Sequence, residues 1–385
     1  MDAILLLLFY SLAKPLDFFL PIKFFGLSFF STILPFLSTL FIWLKATIHD
    51  SKNKRLTNIL FLLCFFCIIT LRVLIYQESL FESFRLFLPV LNLLFFLSVL
   101  GSIDFTASQK NRISLFLIYL FLFHTGNSLL YIFGLPAINY ENVDAEDYVA
   151  FSRFSGIMGG SNVQGSIIVF LLLSYFVIKT PNRMSVFLML MLLSIFGVLP
   201  TLSRLSFFGL IYVFAYYLIK YYTSNFIQKF TTIILSAIIS ILLISWGEKL
   251  IFFNQIIERF LTGDYSSGRG SKNSFFHEIF WQQEYFLLGI PHKLQDLGVS
   301  TKNISDNSFY YILSNHGLIG MSLILFILIF YFKRIVLRRS FFVMLLTVLF
   351  LWFNNSILWS FWLYLSILVI YIIDSNKNTP ILSDQ

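Results

Sequence analysis

LTNILFLLCFFCIITLRVLIY, Leu56–Tyr76, is the stretch that decides the fold. A hydrocarbon core about 30 Å thick is crossed by about 20 mostly apolar residues in a helix. This stretch has that length and that character. The pattern recurs along the chain. Apolar windows fall near 3–20, 24–44, 56–76, 84–100, 113–133, 157–178, 184–200, 205–220, 230–246, 308–330, 341–356 and 357–373. The whole chain agrees: 385 residues, 58% hydrophobic, 12% charged, with 49 Phe and a mean hydropathy of +0.83. No soluble domain of this size could bury so much apolar surface. The fold class expected is all-α: a polytopic transmembrane helical bundle of about 12 spans, forming a single integral membrane domain over 1–385.

The first window is the weakest, because Lys14, Pro15 and Asp17 interrupt it, and it reads as a broken helix. A cleaved signal peptide is not expected, since there is no basic leader and no clear small-residue cleavage site. Within Leu56–Tyr76, Cys64 and Cys67 form CFFC. The spacing matches a redox pair, but an apolar helix offers no βαβ setting for one. The better reading is two small packing residues one turn apart.

The basic residues alternate from loop to loop. Lys45, Lys52, Lys54 and Arg55 fall in one loop; Lys110 and Arg112, Lys179 and Arg183, Lys220 and Lys229, and Lys333, Arg334, Arg338 and Arg339 fall in every second loop after it. By the positive-inside rule these segments are cytoplasmic. The inside then holds 15 Lys and Arg against 5 Asp and Glu, and the outside 12 against 14. The net charge of +8 therefore reflects topology and does not point to nucleic acid. Both termini come out cytoplasmic, with 374–385 as a cytoplasmic tail.

Two long connections lie outside. One, near 134–156, carries ENVDAEDY; the other, 247–307, lies between spans 9 and 10 and carries the polar stretch YSSGRGSKNS. Long loops on compact scaffolds are where function concentrates. Nucleotide-activated substrates are on the other side, so chemistry here needs a donor already activated and delivered by the membrane.

No group of His, Cys, Asp and Glu has zinc-ligand spacing, and the chain has no P-loop, GxGxxG or GxSxG. No metal or cofactor is expected. His124 sits within a span, where a polar side chain faces the bundle interior; helix–helix hydrogen bonding and substrate contact are both open to it. Arg153, Arg204 and Arg269 each lie at the outer interface on a different piece of chain. Singly, each could snorkel to lipid headgroups. As a set they fit a pyrophosphate, because a guanidinium never loses its charge and bonds phosphate in a fork. GIMGGSNVQG (Gly156–Gly165) offers either close helix packing or backbone N–H groups for an anion. Asp306 and Asn307, before the tenth span, either cap that helix or orient and deprotonate a sugar hydroxyl.

These segments, in this order, resemble the O-antigen polymerase and ligase superfamily of the Wzy type. The residues that carry the resemblance are RFSGIMGGSN (Arg153–Asn162), TLSR (Thr201–Arg204), SGR (Ser267–Arg269), LLGIP (Leu287–Pro291) and DNSFYYILSNHGLIG (Asp306–Gly320). The ligases commonly show His-Asn where this chain has Asp306–Asn307, which favours the polymerase. The resemblance implies a glycosyltransferase at the periplasmic face of a bacterial inner membrane. Its donor and acceptor would be undecaprenyl-pyrophosphate-linked oligosaccharides, with a chain-length regulator as a further partner. Asp306, Arg204 and Arg269 would be catalytic, and Arg153, Asn162, Asn307, His292 and His316 would hold the pyrophosphate and glycan. An O-antigen ligase, with lipid A–core as acceptor, and a flippase are the competing readings. The topology carries its own test. Ser271→Cys should react with an impermeant thiol reagent in intact spheroplasts; reaction only after permeabilisation would overturn the orientation.

Overall fold

The computed structural model describes residues 10–11, 16–17, 20–24, 27–47, 52–101, 103, 105–139, 154, 156, 161–179, 184–201, 203–218, 285–291, 308–332, 337–353 and 361–375. Among them the chain is helical. Four helices are long and apolar enough to cross a membrane: Arg55–Tyr76, Leu80–Leu100, Ala107–Ile132 and Tyr311–Phe332. Six shorter apolar helices accompany them. The ninth expected span, 230–246, lies outside the described residues, and the first is described at a few positions only. Cα packing divides the chain into two compact units, Met1–Lys110 with Gly268–Gln385, and Asn111–Ser267.

The first unit contains α1 (Leu34–Thr47), α2 (Lys52–Tyr76) and α3 (Leu80–Leu100), and later α8 (Ser308–Phe332), α9 (Leu337–Phe353) and α10 (Phe361–Ser375). α3 packs against α1, α2, α8 and α10. It is buried continuously from Phe87 to Leu100, and a helix covered on every side is apolar on every side. Its exceptions are tied into networks. Asn92 Nδ2 donates to Tyr10 Oη at 2.5 Å and to Tyr364 Oη at 2.9 Å, and Tyr10 Oη and Thr39 Oγ1 lie 3.0 Å apart. Asn58 Nδ2 donates to Ser98 Oγ at 2.9 Å while its Oδ1 accepts from Tyr331 Oη. In an apolar surrounding each such bond fixes which helix faces which.

Some boundaries, and the placement of two cysteines, differ from expectation. α3 starts at Leu80, a turn earlier than the window at 84, because Ser79 and Glu82 form a capping box. The window from 24 does not open as a helix: Lys23–Phe24 pairs antiparallel with Leu27–Ser28, and a π-helical turn, Phe29–Ile33, leads into α1. The cysteines also correct the sequence reading. Cys64 and Cys67 lie on the exposed face of α2, both free, so they are not packing residues between helices.

The second unit contains α4 (Ala107–Ile132, from Asn111 on), α5 (Ser161–Ile178), α6 (Met184–Val198) and α7 (Arg204–Tyr217). α5 packs on both α6 and α7 and is buried without interruption from Gln164 to Ser174. The Phe176 and Phe187 rings lie tilted 5.2 Å apart, the Tyr217 ring sits 4.4 Å from that of Phe176, and its hydroxyl donates to the Phe176 carbonyl. α6 ends in a 3₁₀ turn, Leu199–Thr201, and Ser203 caps α7 by accepting from Ser206 N–H. Gly165 lets α5 meet that corner. A Cβ there would lie 2.3 Å from Ser206 Oγ and 2.8 Å from Ser206 Cβ. Gly165→Ala should therefore cost about 1–3 kcal/mol by overpacking. The double variant Gly165→Ala/Ser206→Gly should recover most of that in thermal unfolding of the detergent-solubilised protein. No recovery would mean that the close approach is not what Gly165 provides.

Candidate functional site

Of the expected site residues of the first unit, His316 stands at a break in α8. Its helix is interrupted at Gly317, with φ 63° and ψ −174°. In an unbroken helix the N–H groups of Leu318 and Ile319 would bond to the carbonyls of Ser314 and Asn315. The break parts them, and buried backbone groups must find partners elsewhere. The turn Tyr285–Pro291 supplies them. Leu318 N–H donates to Phe286 O at 2.9 Å, Ile319 N–H to Leu287 O at 3.1 Å, and Ile290 N–H to Ser314 O at 2.7 Å. Gly289 N–H closes the turn on Tyr285 O at 2.8 Å.

The Asn315 carbonyl is taken by Arg72, on α2. The Arg72 guanidinium is fully buried, and all five of its N–H donors are engaged. Nε and Nη2 hold the two carboxylate oxygens of Glu78 at 3.3 and 3.1 Å. Nη1 donates to Asn315 O at 3.0 Å and to Leu288 O, and Nη2 to Ile290 O at 3.2 Å. Glu78 also accepts from Ser83 Oγ at 2.8 Å, and the Tyr76 ring covers the guanidinium at 5.3 Å. One charged pair thus binds α2, the turn and the broken helix together. Neither Arg72 nor Glu78 was expected from sequence. The signal was there, since a lone Arg inside an apolar span marks an interior pairing.

The break brings LLGIP onto SNHGLIG, two of the segments that carry the family resemblance. His316 is buried, its ring 4.8 Å from that of Phe87. His316 Nδ1, Asn315 Oδ1 and Ser308 Oγ are buried with no hydrogen-bond partner among the described residues. Asp306 and Asn307 directly precede α8, and His292 directly follows the turn; these three, with Arg269 and Arg153, lie outside the described residues.

The second unit brings two further segments together. Phe154, next after Arg153, donates its N–H to Pro200 O at 3.0 Å, directly before the TLSR turn. Arg204 is the first residue of α7, behind the Ser203 cap. Gly156 has φ +57° and lies on Gln164, where a Cβ would come within 2.5 Å of Cδ; its N–H donates to Asn139 Oδ1 at 3.2 Å. Gln164 Nε2 lies 3.2 Å from His124 Nδ1, so His124 does make the helix–helix bond that was one of its two readings. Asn162 stands half-buried in the first turn of α5, its carbonyl accepting from Ser166 Oγ at 2.6 Å. α5 starts only at Ser161, after the first glycines of the GIMGGSNVQG segment.

Among the described residues no three His, Cys, Asp or Glu side chains come together as a metal site. No protein-family model, curated protein or solved structure matches the chain.

The two glycines of the break are fixed by space as well as by φ. A Cβ on Gly317 would lie 2.2 Å from Leu287 O, and one on Gly289 (φ +83°) 2.6 Å from Asn315 O. The Gly317 conformation belongs almost only to glycine and costs about 1–3 kcal/mol for other residues. Gly317→Ala should lower the unfolding midpoint clearly. Gly126→Ala, where nothing stands within 4 Å of the new Cβ, should not. Equal midpoints for the two variants would show that the break is not held as described.

Proposed function

We propose that this chain is a Wzy-type O-antigen polymerase. It joins undecaprenyl-pyrophosphate-linked oligosaccharide units on the periplasmic face of the bacterial inner membrane. The observation that carries this reading is the pairing of the resembling segments. LLGIP sits in the break of SNHGLIG, and the residue after Arg153 bonds to Pro200, directly before TLSR. Ile319 and Leu287 are 32 positions apart and Phe154 and Pro200 are 46, so the pairs are tertiary contacts and not local turns. The reading takes about twelve spans, the loop 247–307 outside, and both termini in the cytoplasm.

The reaction is a substitution at an anomeric carbon. The acceptor hydroxyl at the non-reducing end of the incoming unit attacks the first sugar of the growing chain. The bond from that carbon to the pyrophosphate oxygen breaks, and the lipid pyrophosphate leaves with the electron pair. Asp306 takes the hydroxyl proton. Arg153, Arg204 and Arg269 stabilise the charge on the leaving group, an effect worth about 3–4 kcal/mol per well-placed donor. Asn162, Asn307, His292 and His316 contact the glycan. Arg72 is not in this set, since its donors are spent on protein acceptors.

The test is deletion of the gene and complementation, read as the lipopolysaccharide ladder on a gel. Loss of the ladder with one repeat left on the core supports a polymerase; bare core with accumulated lipid-linked polymer identifies a ligase instead. Arg204→Ala and Arg269→Ala should each abolish extension at normal membrane abundance, and Lys should rescue poorly because it lacks the fork. Asp306→Asn keeps a helix cap but loses the base. It should lower extension by about 10²- to 10⁴-fold, whereas a residue that only caps would leave the ladder intact.

A further inference from the structure

We propose that Arg72 and Glu78 are positioning residues: through the Tyr285–Pro291 turn and the Asn315 carbonyl they set where Ser308, Asn315 and His316 stand at the glycan site. The inference rests on the polymerase reading for what the site does, and on the break in α8 for how it is held.

Arg72 has no donor left for a phosphate, so it acts through other residues. It grips both sides of the break. Leu288 and Ile290 belong to the turn, and Asn315 belongs to α8, next to His316. Lysine could keep the charge but could not serve three carbonyls and a carboxylate at once. The half-helix so held, Ser308–His316, carries three buried polar atoms without partners among the described residues: Ser308 Oγ, Asn315 Oδ1 and His316 Nδ1. Such atoms cost stability and call for an explanation; a site awaiting a hydroxyl-rich ligand is one.

The experiment has two arms, both in the full chain with Cys64→Ser and Cys67→Ser, which removes two exposed thiols. In the first, Ser308→Cys is exposed to a small impermeant maleimide. Ser308 is fully buried, so labelling should be slow, and Arg72→Lys or Glu78→Gln should speed it by about tenfold or more through local opening. In the second, the reconstituted protein extends a lipid-linked repeat unit. Arg72→Lys should lower kcat by up to about 10²-fold, the effect of a displacement near 1 Å, with KM for the lipid-linked donor within about twofold. The double variant Arg72→Lys/His316→Gln should be no slower than the slower single variant, because both act through the same half-helix. Unchanged labelling, losses that multiply, or activity that only follows the amount of folded protein would overturn the proposal. If the wild-type chain extends nothing while labelling still responds to Arg72→Lys, the polymerase reading falls and the positioning of Ser308–His316 stands, because the labelling arm does not use activity.

Discussion

The fold of the first unit turns on one guanidinium that has nowhere to send its protons but to the protein. A charged side chain inside an apolar bundle must be paired and fully hydrogen-bonded. Glu78 neutralises Arg72 and takes two of its donors, and three carbonyls take the rest. The broken helix has the complementary difficulty, with backbone groups cut loose by Gly317. The turn at 285–291 meets both. It lends its carbonyls to Arg72 and to the N–H groups of α8, and it lends Ile290 N–H to Ser314. Remove any one part and the others are left with buried, unpaired polar groups. Breaking a buried pair by losing one partner costs about 3–5 kcal/mol, so the assembly is cooperative by construction.

The second unit reaches a similar end by smaller means. There is no buried ion pair at its corner among the described residues. Instead Gly156 and Gly165 remove side chains where Gln164 and Ser206 must approach, and Ser203 caps α7. In both units, irregular backbone occurs where other protein groups satisfy it, which is the condition for such backbone in an apolar medium. In both, the irregular place is also where the resembling segments meet.

The apolar windows made the helices legible: the region near 308–330 is a helix close to both expected ends, and those near 56–76 and 113–133 end about where expected but start earlier, at Lys52 and Ala107. Local chemistry left unused explains some misses: SLFE, at Ser79–Glu82, is a capping box that moves the start of α3. Others could not be read locally. NHGLIG looks like uninterrupted apolar helix, and nothing in it shows that Gly317 leaves the helix, because the partners that stabilise the break are some thirty residues upstream. The three carbonyls that complete the bonding of Arg72 are more than 200 residues away, beyond any periodicity. Cys64 and Cys67 failed for a different reason. Spacing shows that two residues share a helix face, but not whether that face meets protein or lipid.

Donor accounting separates two kinds of arginine that composition alone would merge. An arginine whose five N–H groups are all met by protein acceptors is part of the framework, however functional its neighbourhood looks. A pyrophosphate clamp needs donors to spare, in a fork that stays charged on the outer side. Arg72 fails that criterion on its own geometry. In the proposed reaction the clamp falls to Arg153, Arg204 and Arg269, and Arg72 belongs to the framework. A division of this kind has a physical reason. The residues that meet a departing pyrophosphate must exchange partners in every turnover, and the residues that keep a strained helix break in place must never do so.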